Sequence, residues 1–202
     1  GAGKGARIGI LPPGKSWLAL MGALSALGID EAGLKRLGIR LCKAGLTWPL
    51  EPETMRRFAA GLEQVLVVEE KRPVMEEQLK SLLYNLPARE RPRIVGKADE
   101  TGAPLLPAIG EINAVSVARA LMSRLPEGAV ASEHAARIAA IASAAPAQAA
   151  ALRREPYFCS GCPHSVSTVL PEGSRATTGI GCHMMVIGME RQTSTFTQMG
   201  GE

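Results

Sequence analysis

The sequence is poor in most of the features that point to a partner. Phe, Trp and Tyr make up 3% of its 202 residues, which leaves few flat side chains on which single-stranded nucleic acid could stack. No run of five or more like charges occurs, and 23 Lys and Arg against 19 Asp and Glu give a net charge of only +4. So mild and scattered an excess makes no nucleic-acid face. No apolar run reaches the length of a membrane span. The first residues lack the charged, apolar and cleavage regions of a secretion signal. The expectation is a cytoplasmic chain with neither nucleic acid nor membrane as partner. Four cysteines, one alone and three spaced C-x2-C-x19-C, are too few and too unevenly placed for a disulfide framework, so reduced thiols are expected.

What is present is an apolar content of 46%, enough to fill the core of one large or two small domains. The chain opens on Gly1-Ala2-Gly3-Lys4 without a methionine and closes on Gln198-Met199-Gly200-Gly201-Glu202, and so reads as an excised piece. Its first part alternates short apolar runs with helical periodicity. Arg7 to Leu11, Ile39 to Cys42, Val65 to Val68 and Ile94-Val95 predict strands, the third β-branched and uncharged as in a buried parallel strand. Between them, Ser16 can cap a helix with Trp17, Leu20, Met21, Leu24 and Leu27 on one stripe, ended by Gly28. Pro52 can start a second helix through Met55, Phe58 and Leu62, and Pro73 a third through Met75, Leu79, Leu82 and Leu83. The predicted fold class is α/β, a parallel sheet flanked by helices, over residues 1–97.

Residues 98–152 are predicted as a loop and an alanine-rich helical linker. Asn113 starts a helix through Val117, Leu121 and Leu125, and the stretch from Ala129 to Leu152 favours helix while offering little area to bury. His134 is expected to be exposed there, and lone Cys42 to be core. No internal repeat is found.

Gly9 to Ser16 satisfies G-x-x-x-x-G-K-[ST] between a strand and a helix. Such a loop works by aiming successive backbone N–H groups at phosphates, and Pro12 and Pro13 have none. A plain strand-to-helix turn with a solvated Lys15 is the preferred reading, and a P-loop nucleotidase ranks last.

The chemistry-bearing residues gather late. Cys159, Cys162 and Cys182, with His164 and His183, lie within twenty-five residues. Pro163 separates Cys162 from His164, which weakens a haem-attachment reading. A thioredoxin-like pair leaves Cys182 unexplained. Metal ligation by Cys159, Cys162 and Cys182 explains all three, with His183, His164 or a residue beyond the chain as fourth ligand; zinc and a [4Fe–4S] cluster both suit thiolates. Three buried thiols packing as small apolar groups remain the plainer alternative.

These residues also carry a resemblance. Pro156-Tyr157-Phe158-Cys159-Ser160-Gly161-Cys162-Pro163-His164, then Gly179-Ile180-Gly181-Cys182-His183, then Thr195 to Glu202 resemble the opening of the thiamine-diphosphate domain of 2-oxoacid:ferredoxin oxidoreductases, most closely the bacterial fused indolepyruvate ferredoxin oxidoreductases. Upstream, Thr47-Trp48-Pro49-Leu50-Glu51-Pro52 and Leu66 to Arg72 resemble the transketolase-C-like middle domain of the same enzymes, and Gly96-Lys97 with Leu105-Leu106-Pro107 their connector.

The resemblance implies residues 153–202 as the truncated start of a thiamine domain, and an enzyme that decarboxylates an arylpyruvate oxidatively to an acyl-coenzyme A. Its implied cofactors are thiamine diphosphate, Mg2+ and [4Fe–4S]. Its implied partners are ferredoxin, coenzyme A, the 2-oxoacid and further copies of itself. Cys159, Cys162 and Cys182 would hold the cluster. Gly179, Ile180 and Gly181 would lie at the cofactor's edge, with His164 and His183 as polar contacts, since glycines admit close approach of backbone to a ligand. The chain lacks the Gly-Asp-Gly region for magnesium and diphosphate, a ferredoxin-like cysteine run and a pyrimidine-binding domain, so it is expected to be inactive alone. The competing class is a zinc-stabilised α/β binding module without catalysis.

Overall fold

The computed structural model describes residues 5–143 and 155–196, and the chain divides into two compact units, Gly1–Ala144 and Ala145–Glu202. In the first, strand β1 (Ile8–Leu11) leads through helices α1 (Ser16–Ala26) and α2 (Glu31–Leu37) to β2 (Ile39–Leu41). Helix α3 (Pro52–Ala59) then leads to β3 (Gln64–Val67), and α4 (Val74–Leu83) to β4 (Arg93–Val95). Helices α5 (Ala114–Met122) and α6 (Ser132–Ser143) complete the unit. The four strands form one parallel sheet in the order β2-β1-β3-β4.

Alternation along the strands sorts side chains between two cores. Ile8, Ile10, Leu66 and Val68 face one side, with Leu20, Ala23, Leu24 and Leu27 from the first helix. Leu11, Val65 and Val67 face the other, with Met55 and Phe58 of α3 and Met75, Leu79 and Leu83 of α4. Each buried leucine contributes about 1.5–3 kcal/mol relative to exposure. The predicted parallel sheet flanked by helices is therefore the observed architecture.

Several local details differ from expectation. Ser16 is the first residue of α1 and not its cap, since Lys15 takes that position and no side chain caps the helix. Helix α2 was not predicted, although its punctuation is in the sequence. The Asp30 carboxylate accepts the Gly33 N–H at 2.7 Å, and Gly38 closes the helix at φ 66°, a left-handed conformation that glycine takes without steric cost. Pro52 does open α3, and the Glu51 carboxylate just before it accepts the N–H groups of Glu53 and Thr54 at 2.9 and 2.6 Å.

The compact unit runs past residue 97, the expected end of the first domain. Helix α5, started by a capping box between Asn113 and Ser116, buries Val117, Ala118, Ala120 and Leu121 in the same core as α1. The two helices approach so closely that a Cβ on Gly22 would stand 3.1 Å from that of Ala114. Helix α6 adds Ile138, 1% exposed. Part of residues 98–152, expected as a loop and a helical linker, is thus core, because apolar residues at helical spacing bury wherever a sheet face is left uncovered. His134, expected exposed, is half-buried and packs on Gly28. Residues 144–152 of the expected linker lie outside the described residues. No single helix among those described is long and apolar enough to cross a membrane.

The second unit is small. It holds the one-turn helix α7 (His164–Ser167), a parallel pair of strands, β5 (Ala176–Thr178) and β6 (Thr193–Phe196), and a 3-10 segment at Cys182–Gly188.

Candidate functional site

The cysteine segment in the second unit is built on a turn. The Cys162 N–H donates to the Cys159 carbonyl at 3.0 Å, with Gly161 inside the turn at φ 73°, a conformation that disfavours any side chain there. Pro163 then caps α7 without a side-chain bond. Thr168 Oγ1 donates to the His164 carbonyl at 2.6 Å, while Arg191 Nη1 donates to the Ser165 carbonyl at 2.9 Å and to Thr168 Oγ1 at 3.1 Å. Arg191, not singled out in the sequence, therefore fastens the start of β6 to α7. Its only signal was a lone arginine among apolar and polar neighbours.

Both candidate histidines are engaged within the unit. His164 Nδ1 lies 3.2 Å from Cys162 Sγ, and its ring stacks on Phe158 at 5.3 Å and on His183 at 6.0 Å between centroids. His183 Nε2 accepts the Gly179 N–H at 3.0 Å, which folds Gly179 to His183 into a closed loop with Gly181 at φ 136°. Gly179 is buried, whereas Ile180 and Gly181 face solvent.

Of the thiols, Cys159 and Cys182 are exposed and Cys162 is half-buried. Among the described residues no three His, Cys, Asp or Glu side chains are placed to hold a metal ion, so Cys159, Cys162 and Cys182 are not brought together as a ligand set. By themselves these residues fit neither a cluster nor zinc.

The loop after β1 is equally clear. The Ala44 N–H donates to the Pro12 carbonyl at 2.9 Å, and Pro13 pairs with Ala44 as a parallel bridge. The stretch that matched a phosphate loop is thus an extension of the sheet. Across from it, the acids that end β3 have a structural role the sequence reading missed. Glu69 is buried, and its two oxygens accept the N–H groups of Met75 and Glu76 at 2.8 and 2.9 Å. It is the internal anion at the N-terminus of α4. Lys97 Nζ donates to the carbonyls of Glu69 and Pro107. Burial pushes the Glu69 carboxyl above its ordinary range against the pull of those two N–H groups. Burial likewise lowers the Lys97 ammonium, opposed by Glu69 and Glu76.

The chain matches the family described as "Indolepyruvate oxidoreductase domain" over residues 1–149. Among curated proteins it is 36% identical over 80 residues to the indolepyruvate oxidoreductase subunit IorA of Thermococcus kodakarensis, covering 40% of this chain and 11% of that one. To the same subunit of Pyrococcus horikoshii it is 40% identical over 75 residues, 37% of this chain and 10% of that one. To that of Methanothermobacter thermautotrophicus it is 30% identical over 162 residues, 80% of this chain and 22% of the relative. The chain thus spans between 10% and 22% of the length of these relatives.

Two solved structures show a likeness at 17% identity and TM-score 0.39. One is a 2-oxoglutarate:ferredoxin oxidoreductase from Magnetococcus marinus, with 61% of this chain and 18% of that chain covered. The other is a split-gene transketolase in an inactive tetramer, with 59% and 38% covered. The matched residues 1–149 take in every described residue of the first unit, its parallel sheet and the helices on both faces, and the chain accordingly belongs to the family of indolepyruvate oxidoreductase domains.

Proposed function

We propose that this chain is an internal portion of a thiamine-dependent indolepyruvate:ferredoxin oxidoreductase of the cytoplasm. In the whole enzyme an arylpyruvate and coenzyme A react to give an acyl-coenzyme A, carbon dioxide and a proton. The two electrons released reduce two ferredoxins. The observation that carries this reading is the family match over residues 1–149, supported by the ordered motifs from Pro156 to His183 that resemble the start of a thiamine domain. When bound, thiamine diphosphate supplies the carbanion chemistry, and a cluster would supply the electron path.

The first unit serves as scaffold, its parallel sheet buried between two apolar cores. In the second unit, Tyr157, Val166, Val169, Ile180 and Phe196 are exposed, apolar side chains that further parts of the enzyme, or a second copy of it, would cover. The thiols Cys159, Cys162 and Cys182 are then ligands that need those further parts to converge.

The test compares the full-length enzyme with the 202 residues. Anaerobically purified full-length protein, given thiamine diphosphate, Mg2+, coenzyme A and indolepyruvate, should reduce ferredoxin, while the present chain should not. Iron with inorganic sulfide and broad absorbance near ~400 nm, lost on Cys159→Ala, supports the ligand set. Turnover by the present chain would sink the fragment reading. Full-length protein inert towards every arylpyruvate, or holding stoichiometric zinc in place of iron, would favour the binding module.

A further inference from the structure

The order β2-β1-β3-β4 has one topological consequence at the C-terminal end of the sheet. The chain leaves β1 for β2 on one side, then returns past β1 to form β3 on the other. The exits of β1 and β3 therefore diverge, and open parallel sheets take ligands in the crevice so formed. Here the crevice is a cavity of about 310 Å³, whose polar lining is Lys15, Ser16, Thr47, Glu69, Glu70 and Arg72.

Some of these groups are already satisfied. Glu69 is spent on the amides of α4. Lys15 pairs with Glu70 at 3.4 Å and with Glu111. Three donors are left over, the hydroxyls of exposed Thr47 and buried Ser16 and the guanidinium of Arg72. Ser16 is 4% exposed, and its hydroxyl has no partner among the described residues. That hydroxyl is not sealed in the core, because among the described residues Arg40 Nε is the only side-chain N or O fully cut off from solvent without a hydrogen bond. The crevice is the space it meets. Arg72, an exposed residue, lines the same cavity, and its guanidinium has no ion pair or hydrogen bond to a described residue. A guanidinium fork and an orphaned hydroxyl among the residues lining one cavity call for an oxyanion acceptor.

The size of that anion is restricted. Pro12 and Pro13 contribute no N–H. The first amides of α1 turn inward, Trp17 donating to the Gly14 carbonyl at 3.3 Å and Leu18 to that of Lys15 at 2.9 Å. The amides of α4 hold Glu69. Glu70 alongside disfavours a second negative charge, and with it a polyphosphate. Pro13, Val74 and Met75 supply an apolar wall. We propose that the crevice between the exits of β1 and β3 binds a small carboxylic acid, its carboxylate held by the Arg72 guanidinium and the Ser16 hydroxyl and its carbon skeleton lying on Val74 and Met75.

The test is a titration of the ¹⁵N-labelled chain with acetate, pyruvate, succinate and phenylacetate, with inorganic phosphate and ADP as contrasts. At least one carboxylate should shift the amides of Lys15, Ser16 and Arg72 saturably, with a Kd of about 1 mM or below. Arg72→Met should weaken it about tenfold, Arg72→Lys should restore part because it keeps the charge but loses the fork, and Ser16→Ala should cost a few-fold. No saturable shift from any of the four acids up to about 50 mM overturns the proposal. So does a shift unchanged in Arg72→Met, or tighter binding of phosphate or ADP than of every carboxylate. None of these readouts involves turnover, so failure here leaves the catalytic reading standing, and the converse holds.

Discussion

Glu76 Oε2 accepts the backbone N–H of Lys97 at 2.9 Å, so a buried carboxylate on α4 fastens the chain where it leaves β4. Its other oxygen accepts from Lys80 Nζ at 2.6 Å. Gly96 lies beneath: a Cβ there would run into Glu76 Oε2 and stand 3.1 Å from the Val67 carbonyl. Gly96→Ala should cost about 1–3 kcal/mol by overpacking, and Glu76→Ala about 1–3 kcal/mol by leaving the Lys97 N–H unpaired. Urea unfolding followed by circular dichroism should show both. The double variant should lose less than the sum, because removing Glu76 also removes the obstacle.

Glu69→Gln should destabilise the first unit by about 1–3 kcal/mol, since an amide NH2 would face a backbone N–H where a carboxylate oxygen now accepts. The pH dependence has a definite sign. The folded Glu69 carboxyl sits above its unfolded value because burial outweighs its hydrogen bonds. The folded state therefore binds more protons in the window between the two values. The advantage of wild type over Glu69→Gln should be largest below the ordinary carboxylate range and shrink as pH rises through the folded value. Urea midpoints of both proteins across the acid range decide it; an advantage that grows with pH would contradict the burial assignment.

Gly9, in the middle of β1, has no room for a side chain. A Cβ would come within 2.6 Å of Leu62 Cδ1 and 2.8 Å of Phe58 Cζ. Gly9→Ala should lower stability by about 1–3 kcal/mol, and pairing it with Phe58→Leu should recover part of the loss in the same unfolding assay.

Alkylation at pH 8 followed by mass spectrometry should label the exposed Cys159 and Cys182 first. Cys42 should come last, because burial raises its thiol pKa and leaves little thiolate. In anaerobic full-length enzyme the proposed ligand set predicts that Cys159, Cys162 and Cys182 become protected together. Full labelling of Cys159 there would remove it from the set.

The four strands were legible because each is an apolar run bounded by Pro, Gly or charge, and burial on both faces demands such runs. Helix α2 was not, being only seven residues long and amphipathic over barely two turns, so that Asp30 and Gly38 were its real marks. Packing of α5 was also hidden. Its capping residue Asn113 was readable, but the uncovered sheet face that draws in Val117 and Leu121 exists only once the strands have assembled. The cysteine spacing was visible at once, while the arrangement of the thiols was not. C-x2-C fixes a turn, whereas the distance of Cys182 from it depends on a loop held by His183 and Arg191. Pro12 and Pro13, which lack the N–H groups a phosphate loop needs, extend the sheet instead.

The central place of β1 between β2 and β3 also sets the order of events during synthesis. Ile8 must wait for Ile39 to gain one neighbour and for Gln64 to gain the other. At about 5–20 residues per second on a ribosome, the first strand made stays incompletely paired for roughly three to eleven seconds. The most apolar strand of the sheet is thus the one exposed longest to chaperones and to other nascent chains.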